Sequence, residues 1–342
     1  MERPPIELGP IRPVDEAESL LIRTTRSCPW NRCEFCVNYT DMPFSMRKVE
    51  EIKEDIVVAA HHYDGHTFQS CFLQDGDSFI MKTPDLLEIL SFLKQHFPSL
   101  EKITSYGRAQ TMIRKSPEEI QEICDAGLKL LYCGMESGSD KVLEQVNKGV
   151  VAADTIRAAE MAKAAGMEIS EFIILGLGGT ALWQEHATET ARVLNEIDPD
   201  FIRVLTIGVK PGSGLEKQIE AGTFELQTEE NVIEEQRLLI ENLDGISSYY
   251  VNHHAVDLLM EARGQLPEEK PKLLAIVDRY LSMPEDDRIN YTLGRRLNAY
   301  RCMDDMNDRH RKGMVSMKLR EVEEAYPGRL EEVFHHLRTQ IV

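Results

Sequence analysis

Three cysteines stand close together near the start of the chain, as Cys28, Cys33 and Cys36. Soft thiolates select zinc or iron–sulfur clusters. A closed zinc site wants four ligands, and the next Cys or His residues along the chain are His61 and His62, inside a predicted helix. A [4Fe–4S] cluster held by three thiolates leaves one iron open for a substrate or cofactor. The spacing therefore favours a cluster, with a structural zinc site as the alternative.

The other four cysteines, at positions 71, 124, 133 and 302, are scattered singly. An odd total of seven argues against a disulfide framework. Single cysteines of this kind usually behave as small buried apolar residues. A second alternative uses them differently, because Cys71 or Cys133 as a fourth thiolate would make the chain a non-catalytic iron–sulfur electron carrier.

The elements that position these residues follow from an alternation of short apolar runs with amphipathic segments. The runs predict six strands, at Leu20–Arg23, Cys71–Leu73, Ile103–Tyr106, Leu130–Cys133, Ile169–Leu175 and Phe201–Ile207. Strands that alternate with helices pair in parallel through crossover connections. We therefore expect an α/β fold, either a partial (β/α)6 barrel or an open doubly wound sheet, with its chemistry in loops after the strands.

The pattern changes after about Pro211, where only helical segments are predicted, among them Ala255–Ala262. We expect an N-terminal extension (1–17), a catalytic core (18–215) and a helical C-terminal region (216–342). In that last region Tyr249, Tyr250, His253 and His254 form a polar and aromatic cluster. Its histidines suit either acid–base or metal chemistry, or a purely structural role.

Composition narrows the class of partner. The net charge of −19 disfavours phosphate backbones and anionic membranes. No run of 18 apolar residues predicts a membrane helix, and the N-terminus lacks the apolar segment of a signal peptide. We expect a cytoplasmic protein with no membrane partner, for which nucleic acid is an improbable substrate.

Each predicted strand is followed by a polar or glycine-rich turn, at the rim where catalysis is expected. The cysteines follow the first predicted strand, Asp75-Gly76-Asp77 follows the second, and Arg108 follows the third. The fourth strand is followed by Gly134-Met135-Glu136-Ser137-Gly138-Ser139, and the fifth by Gly176-Leu177-Gly178-Gly179-Thr180. Arg203 lies on the sixth strand, with Pro211-Gly212 after it. This order resembles the radical S-adenosylmethionine (radical SAM) superfamily, in the branch that includes methylthiotransferases and B12-dependent radical enzymes. The chain departs from the family's usual Cys-x3-Cys-x2-Cys spacing, because it reads Cys-x4-Cys-x2-Cys.

The resemblance implies a [4Fe–4S] cluster on the three cysteines and SAM as the second cofactor. Its residue roles are expectations: Asp75, Gly76 and Asp77 bind the SAM amino group, and Gly176 and Arg203 belong to further turns around the cofactor. Phe35 packs near the adenine, Arg108 pairs with the SAM carboxylate or an anionic substrate, Glu136 accepts from a ribose hydroxyl, and Ser137 bonds the SAM carboxylate.

The reaction implied is reductive cleavage of SAM to a 5′-deoxyadenosyl radical, which takes hydrogen from a small-molecule or peptide substrate. An electron donor such as a flavodoxin or ferredoxin is implied with it. Aminocarboxypropyl-type cleavage is an alternative, because the longer cysteine spacer can re-aim the open iron. Fewer than 30 residues precede the cluster motif, so we expect no N-terminal cobalamin or methylthiotransferase domain.

Overall fold

The computed structural model describes residues 4–252 and 254–341. Within them the strands are β1 (Leu20–Arg23), β2 (Thr25–Arg26), β3 (Ser45–Met46), β4 (Ser70–Gln74), β5 (Lys102–Gly107), β6 (Leu128–Glu136), β7 (Glu168–Leu175), β8 (Phe201–Thr206), β9 (Tyr249–Val251) and β10 (Arg263–Gln265).

The helices are α1 (Val49–His62), α2 (Thr83–His96), α3 (Ala109–Met112), α4 (Pro117–Asp125), α5 (Asp140–Gln145), α6 (Ala152–Ala164), α7 (Gly179–Ile197), α8 (Gly214–Glu220), α9 (Glu229–Asn242), α10 (Lys270–Leu281), α11 (Glu285–Arg296), α12 (Arg309–Ala325) and α13 (Leu330–Thr339). Short 3-10 helices lie at Val14–Glu16, Ser78–Ile80 and Met303–Asn307.

The larger sheet has the strand order β1-β4-β5-β6-β7-β8-β9-β10 in the described part of the chain. β1 pairs with β4, β4 with β5, β5 with β6 and β8 with β9 in parallel, while β10 runs antiparallel to β9. Helices connect the parallel strands, as crossover connections require. The predicted α/β fold with a mostly parallel sheet is confirmed.

The chain divides into two compact units. Unit 1 comprises Met1–Gly134 and Gly149–Glu171, and unit 2 comprises Met135–Lys148 and Phe172–Val342. Strands β6 and β7 belong partly to each. The division predicted at 17 and 215 stays a prediction.

The core of unit 1 is apolar and closely packed around β1 and β4. Leu20 and Ile22 from β1 and Leu73 from β4 are buried with Ile52 from α1 and Leu90 from α2. Each such side chain contributes about 1.5–3 kcal/mol relative to exposure. The core therefore fixes the ends of β1 and β4, from which the polar loops of this unit emerge.

Unit 2 contains a buried ion network in addition to its apolar core. Glu229 at the start of α9 bonds the guanidinium of Arg296 at 2.8 and 2.6 Å, and Arg338 of α13 lies 3.5 Å away. Burial alone would raise the pKa of Glu229, but the two arginines outweigh it and hold that pKa at about 2. The network therefore fastens α9, α11 and α13 together.

Two predictions for the C-terminal region are wrong. Strands β9 and β10 were not expected, because three residues each are too few to show a strand period. The helix predicted at Ala255–Ala262 is replaced by turns and bends. Its carbonyl groups are taken by side chains instead, since Arg295 donates to Leu258 O at 2.9 Å and Arg296 donates to Val256 O at 2.6 Å.

No helix of the described residues is long and apolar enough to cross a membrane.

Candidate active site

The three clustered cysteines lie on one loop of unit 1, residues 27–44, which we call the cysteine loop. Strands β2 and β3 close its base by antiparallel pairing of Thr25 with Met46 and Arg26 with Ser45. Its three cysteines form no disulfide and are partly exposed, whereas the single cysteines at 71, 124 and 133 are buried. The loop therefore holds the accessible thiols of this unit on a segment anchored at both ends.

Local geometry fixes the shape of the cysteine loop. Ser27, just before Cys28, adopts a positive φ of 68°, a conformation that costs most non-glycine residues free energy. The side chain of Asn31 donates to Tyr39 O across the loop at 2.9 Å. A Cβ atom on Gly76 would lie only 3.1 Å from Cα and Cβ of Cys28. Glycine at 76 thus allows the turn after β4 to lie against the cysteine loop.

Two hydrogen-bond donors, Arg108 and Tyr39, belong to the surroundings of the cysteine loop. Nη1 of Arg108 lies 3.7 Å from Cys28 Sγ. The Tyr39 hydroxyl is buried with no hydrogen-bond partner among the described residues. Burial raises the pKa of Tyr39 well above its usual range, and the nearby charges of Asp75, Tyr106, Cys28 and Cys36 raise it further. Tyr39 therefore keeps its proton and offers an unused donor beside two of the thiols.

The donor set fits an iron–sulfur cluster in type and number, with three thiols on one loop. No three Cys, His, Asp or Glu side chains of residues 4–252 and 254–341 are gathered closely enough to share one metal ion. That statement includes the cysteine loop. Ligation by Cys28, Cys33 and Cys36 therefore remains a proposal, supported by their chemistry and their shared loop.

The Asp75-Gly76-Asp77 turn is more enclosed than its predicted role implies. Asp75 is fully buried, and its Oδ2 accepts from Arg23 at 2.5 and 3.0 Å. Asp77 is also fully buried and accepts from the Thr111 hydroxyl at 2.8 Å. Burial raises the pKa of Asp77 to about 7. Each carboxyl keeps one oxygen, Oδ1, without a hydrogen-bond partner in the described structure.

Arg108 and Phe35 both belong to the neighbourhood of the cysteines. Arg108 precedes α3, and its Nη2 donates to Gln110 Oε1 at 3.2 Å while Nη1 faces Cys28. Phe35 is partly exposed within the cysteine loop. The structure thus brings Cys28, Gly76 and Arg108 together, and it pairs Asp75 with Arg23.

In unit 2, Glu136 ends β6 in a left-handed conformation with φ of 62°. Its Oε1 forms an ion pair with Nζ of Lys148 at 2.8 Å. The other predicted residue of this turn, Ser137, is fully buried and lies 2.8 Å from Nδ1 of His186 on α7. A third contact holds the same turn, because Gly138 N–H donates to Thr190 Oγ1 at 2.9 Å.

The tautomer of His186 follows from its second contact. Nε2 lies 2.9 Å from Ile174 O, and because a carbonyl only accepts, Nε2 carries the proton. Nδ1 is then an acceptor, and the Ser137 hydroxyl donates to it. The Thr190 hydroxyl also lies 3.2 Å from Nδ1, and the predicted bond from Ser137 to the SAM carboxylate stays a prediction.

The turn after β7 requires glycine at position 176. Gly176 has φ of +83°, and a Cβ atom there would lie 2.7 Å from Cγ2 of Ile207. Its N–H donates to Oε1 of Glu235 on α9 at 3.1 Å. Arg203 on β8 is buried, with its guanidinium 5.2 Å from the ring centroid of Phe201.

Two described members of the polar and aromatic cluster in the C-terminal region make hydrogen bonds within unit 2. The Tyr250 hydroxyl on β9 accepts from Gln236 Nε2 at 2.9 Å, and His254 Nδ1 accepts from Val256 N–H at 3.2 Å. His253 lies outside the described residues.

Sequence reasoning missed four residues of these sites: Tyr39, Lys148, His186 and Glu235. Lys148 carried a signal, because it lies in the Asn147-Lys148-Gly149 segment that follows the Glu136 turn. The other three residues carried no such signal in the sequence. His186 and Glu235 lie 50 and 99 residues beyond Glu136, and only the fold brings these two residues to the turns after β6 and β7.

The chain is similar to known proteins. The family model of the Radical SAM superfamily matches residues 22–191. An uncharacterized methyltransferase of Pyrococcus horikoshii is 26% identical over 199 residues, which cover 57% of this chain and 40% of that protein. Bacteriochlorophyllide d C-8(2)-methyltransferase of Chlorobaculum tepidum is 27% identical over 143 residues, or 40% of this chain and 30% of the relative.

Among solved structures, the cobalamin-dependent S-adenosylmethionine radical enzyme OxsB superposes with a TM-score of 0.52 at 14% identity, covering 94% of this chain and 58% of that chain. That likeness concerns the fold. The chain belongs to the radical SAM superfamily through the domain at residues 22–191. It spans less than half the length of the two curated relatives.

Proposed function

We propose that this enzyme binds a [4Fe–4S] cluster through Cys28, Cys33 and Cys36 and cleaves SAM reductively to a 5′-deoxyadenosyl radical. The radical abstracts hydrogen from a small-molecule or peptide substrate. The observation that carries the proposal is the cysteine loop, closed at its base and contacted by Gly76 and Arg108. When bound, the cluster supplies the electron that breaks the sulfonium bond.

The residues around the cysteine loop have roles that do not depend on that electron. Gly76 permits close approach of the turn after β4 to Cys28. Nη1 of Arg108 lies 3.7 Å from Cys28 Sγ, and donors to thiolates stabilise the negative charge of a cluster. We assign the partnerless oxygen of Asp77 to the SAM amino group, because an ammonium offers the donors that this oxygen lacks.

We assign Glu136 to the SAM ribose. Lys148 occupies its Oε1 and holds the carboxylate in one orientation, so Oε2 is the acceptor available to a ribose hydroxyl. We also assign Arg203, Gly176 and Phe35 to the surroundings of the cofactor, as the sequence predicts. Reduction by a flavodoxin or ferredoxin in the cytoplasm completes the proposal.

Anaerobic reconstitution with iron and sulfide tests the ligation. The expected result is a brown protein with broad absorption near about 400 nm that changes when SAM is added. A colourless protein that holds one zinc ion would exclude the proposal. A cluster whose spectrum ignores SAM would instead favour the electron carrier.

Product analysis tests the reaction. With dithionite and SAM, we expect 5′-deoxyadenosine and methionine. Methylthioadenosine would indicate aminocarboxypropyl cleavage. S-adenosylhomocysteine would indicate methyl transfer, which the two methyltransferase relatives make a specific outcome to measure.

A further inference from the structure

Two sets of buried hydrogen bonds hold the turn after β6 and the turn after β7 in unit 2. The His186 ring bridges the Ser137 hydroxyl and Ile174 O, and Glu235 accepts separately from Gly176 N–H. His186 Nε2 also lies 3.5 Å from Glu235 Oε1. Two side chains from two different helices therefore hold both turns.

The contacts leave little freedom to the turn after β6. Besides Ser137, the backbone of Gly138 lies against α7, where a Cβ atom would meet Glu189 O at 2.2 Å. The Ser139 hydroxyl donates to Glu185 of the same helix at 2.8 Å. One face of α7 thus binds three successive residues of the turn, and both His186 and Thr190 on that face are buried.

The His186 and Glu235 side chains carry little charge near neutral pH. Burial lowers the pKa of His186 to about 4, so the ring is neutral. Burial raises the pKa of Glu235 to about 8, against smaller lowering effects from Gly176 N–H and Gln227, so its carboxyl is mostly protonated. A neutral acid is the acceptor of the Gly176 amide. The two turns are therefore held by uncharged side chains.

We propose that His186 and Glu235 are positioning residues for SAM, which set the turns at Glu136 and Gly176 in the conformation that binds its adenosyl group. They act through the backbone and touch no reacting atom. The inference rests on the proposed function, because it requires that SAM binds. It adds two residues, from α7 and α9, that no motif of the sequence indicates.

The test compares two replacements of Glu235 in the reconstituted full-length protein. Glu235→Gln keeps an oxygen that accepts from Gly176 N–H, whereas Glu235→Met has a similar length and removes it. Ligand affinities are measured by calorimetry with SAM, 5′-deoxyadenosine and methionine as separate probes. Glu234→Met, at the exposed neighbouring position, is the matched control, and iron content and thermal unfolding are recorded for every variant.

We expect Glu235→Met to weaken SAM and 5′-deoxyadenosine about 10-fold, the scale of a lost hydrogen bond, with methionine affinity and iron content unchanged. Glu235→Gln restores affinity to within about threefold. His186→Phe, which keeps a ring but removes both contacts, behaves as Glu235→Met, and His186→Gln recovers part of the loss.

Equal affinities in wild type and Glu235→Met overturn the inference while leaving the proposed function intact. Failure of wild type to bind SAM refutes the proposed function itself. Equal losses for methionine and 5′-deoxyadenosine reduce the pair to a structural role.

Discussion

The Glu136 carboxylate and the Lys148 ammonium form an ion pair of 2.8 Å in which the side chains are only 11% and 9% exposed. Lys148 ends the segment that follows α5, twelve residues beyond its partner. The ion pair therefore links the turn after β6 to the end of the segment that follows α5.

Removal of Lys148 alone should be costly. Lys148→Met leaves a mostly buried carboxylate without its partner, for which we expect a loss of about 3–5 kcal/mol in the free energy of unfolding. The double variant Glu136→Gln/Lys148→Met should be more stable than Lys148→Met, because no charge remains unpaired. Urea unfolding of both proteins measures the difference. A double variant no more stable than the single one would mean that the pair is solvated and contributes little.

Glu136 should matter for the cofactor as well as for stability. Glu136→Ala removes the proposed acceptor of the ribose hydroxyl, and a hydrogen bond to a charged group contributes about 1.5–3 kcal/mol. We expect SAM affinity to fall by about one to two decades with iron content unchanged. Glu144→Ala, at an exposed position of α5, is the control. Unaltered affinity in calorimetry would make Glu136 a structural residue only.

The sequence predicted the strands and helices of the parallel part closely, because buried strands between crossover helices carry long apolar patterns. β1 has the predicted bounds, Leu20–Arg23. The same patterns say nothing of partners far apart in sequence. Arg23 with Asp75 and Ser137 with His186 are pairs that only the folded chain defines. The turns at 254–262 were missed for a related reason. Their carbonyl groups accept hydrogen bonds from Arg295 and Arg296, which lie 37 and 40 residues beyond the residues they contact.

Iron binding should depend on the cysteine loop alone. We expect Cys28→Ala, Cys33→Ala and Cys36→Ala each to abolish cluster assembly, since each removes one of three soft ligands. Cys133→Ala and Cys302→Ala are the controls. Cys133 is buried with its Sγ 4.0 Å from Met112 Sδ, and its loss should leave the iron content per chain unchanged. Iron loss in Cys133→Ala would indicate a fourth thiolate and a closed cluster.

Trp30 provides an optical signal for the cysteine loop. Gly149 has φ of +70°, and a Cβ atom there would lie 2.3 Å from the Trp30 ring. Gly149→Ala should therefore displace the indole and change its emission. The chain has two tryptophans, so the measurement uses a Trp183→Phe background in which Trp30 is the only one. Gly166→Ala is the control, because its positive φ is similar and nothing lies within 4 Å of its Cβ. Identical emission in both variants would place the ring elsewhere.

Glu235 should make stability depend on pH. Its pKa rises from 4.5 to about 8 on folding because the carboxyl is buried, so the folded state binds a proton that the unfolded state has released between these values. Wild type therefore loses stability as pH rises through that window, and Glu235→Gln does not. The melting temperature of Glu235→Gln relative to wild type should increase from pH 5 to pH 8. Glu234→Gln should show no such trend. A flat difference for Glu235→Gln would mean that Glu235 is ionised in the folded protein.

The pairing of β2 with β3 bears on how readily the length of the cysteine loop can vary between related proteins. The entropy of closing a loop depends only on the logarithm of its length, and even a doubling costs about 0.6 kcal/mol. With both ends fastened by Thr25 and Arg26 opposite Met46 and Ser45, one more residue between the first two thiols barely affects folding. The spacing of ligands within such a loop is then nearly neutral for stability. It is free to drift under selection for the chemistry alone, and proteins with different spacings can share one barrel.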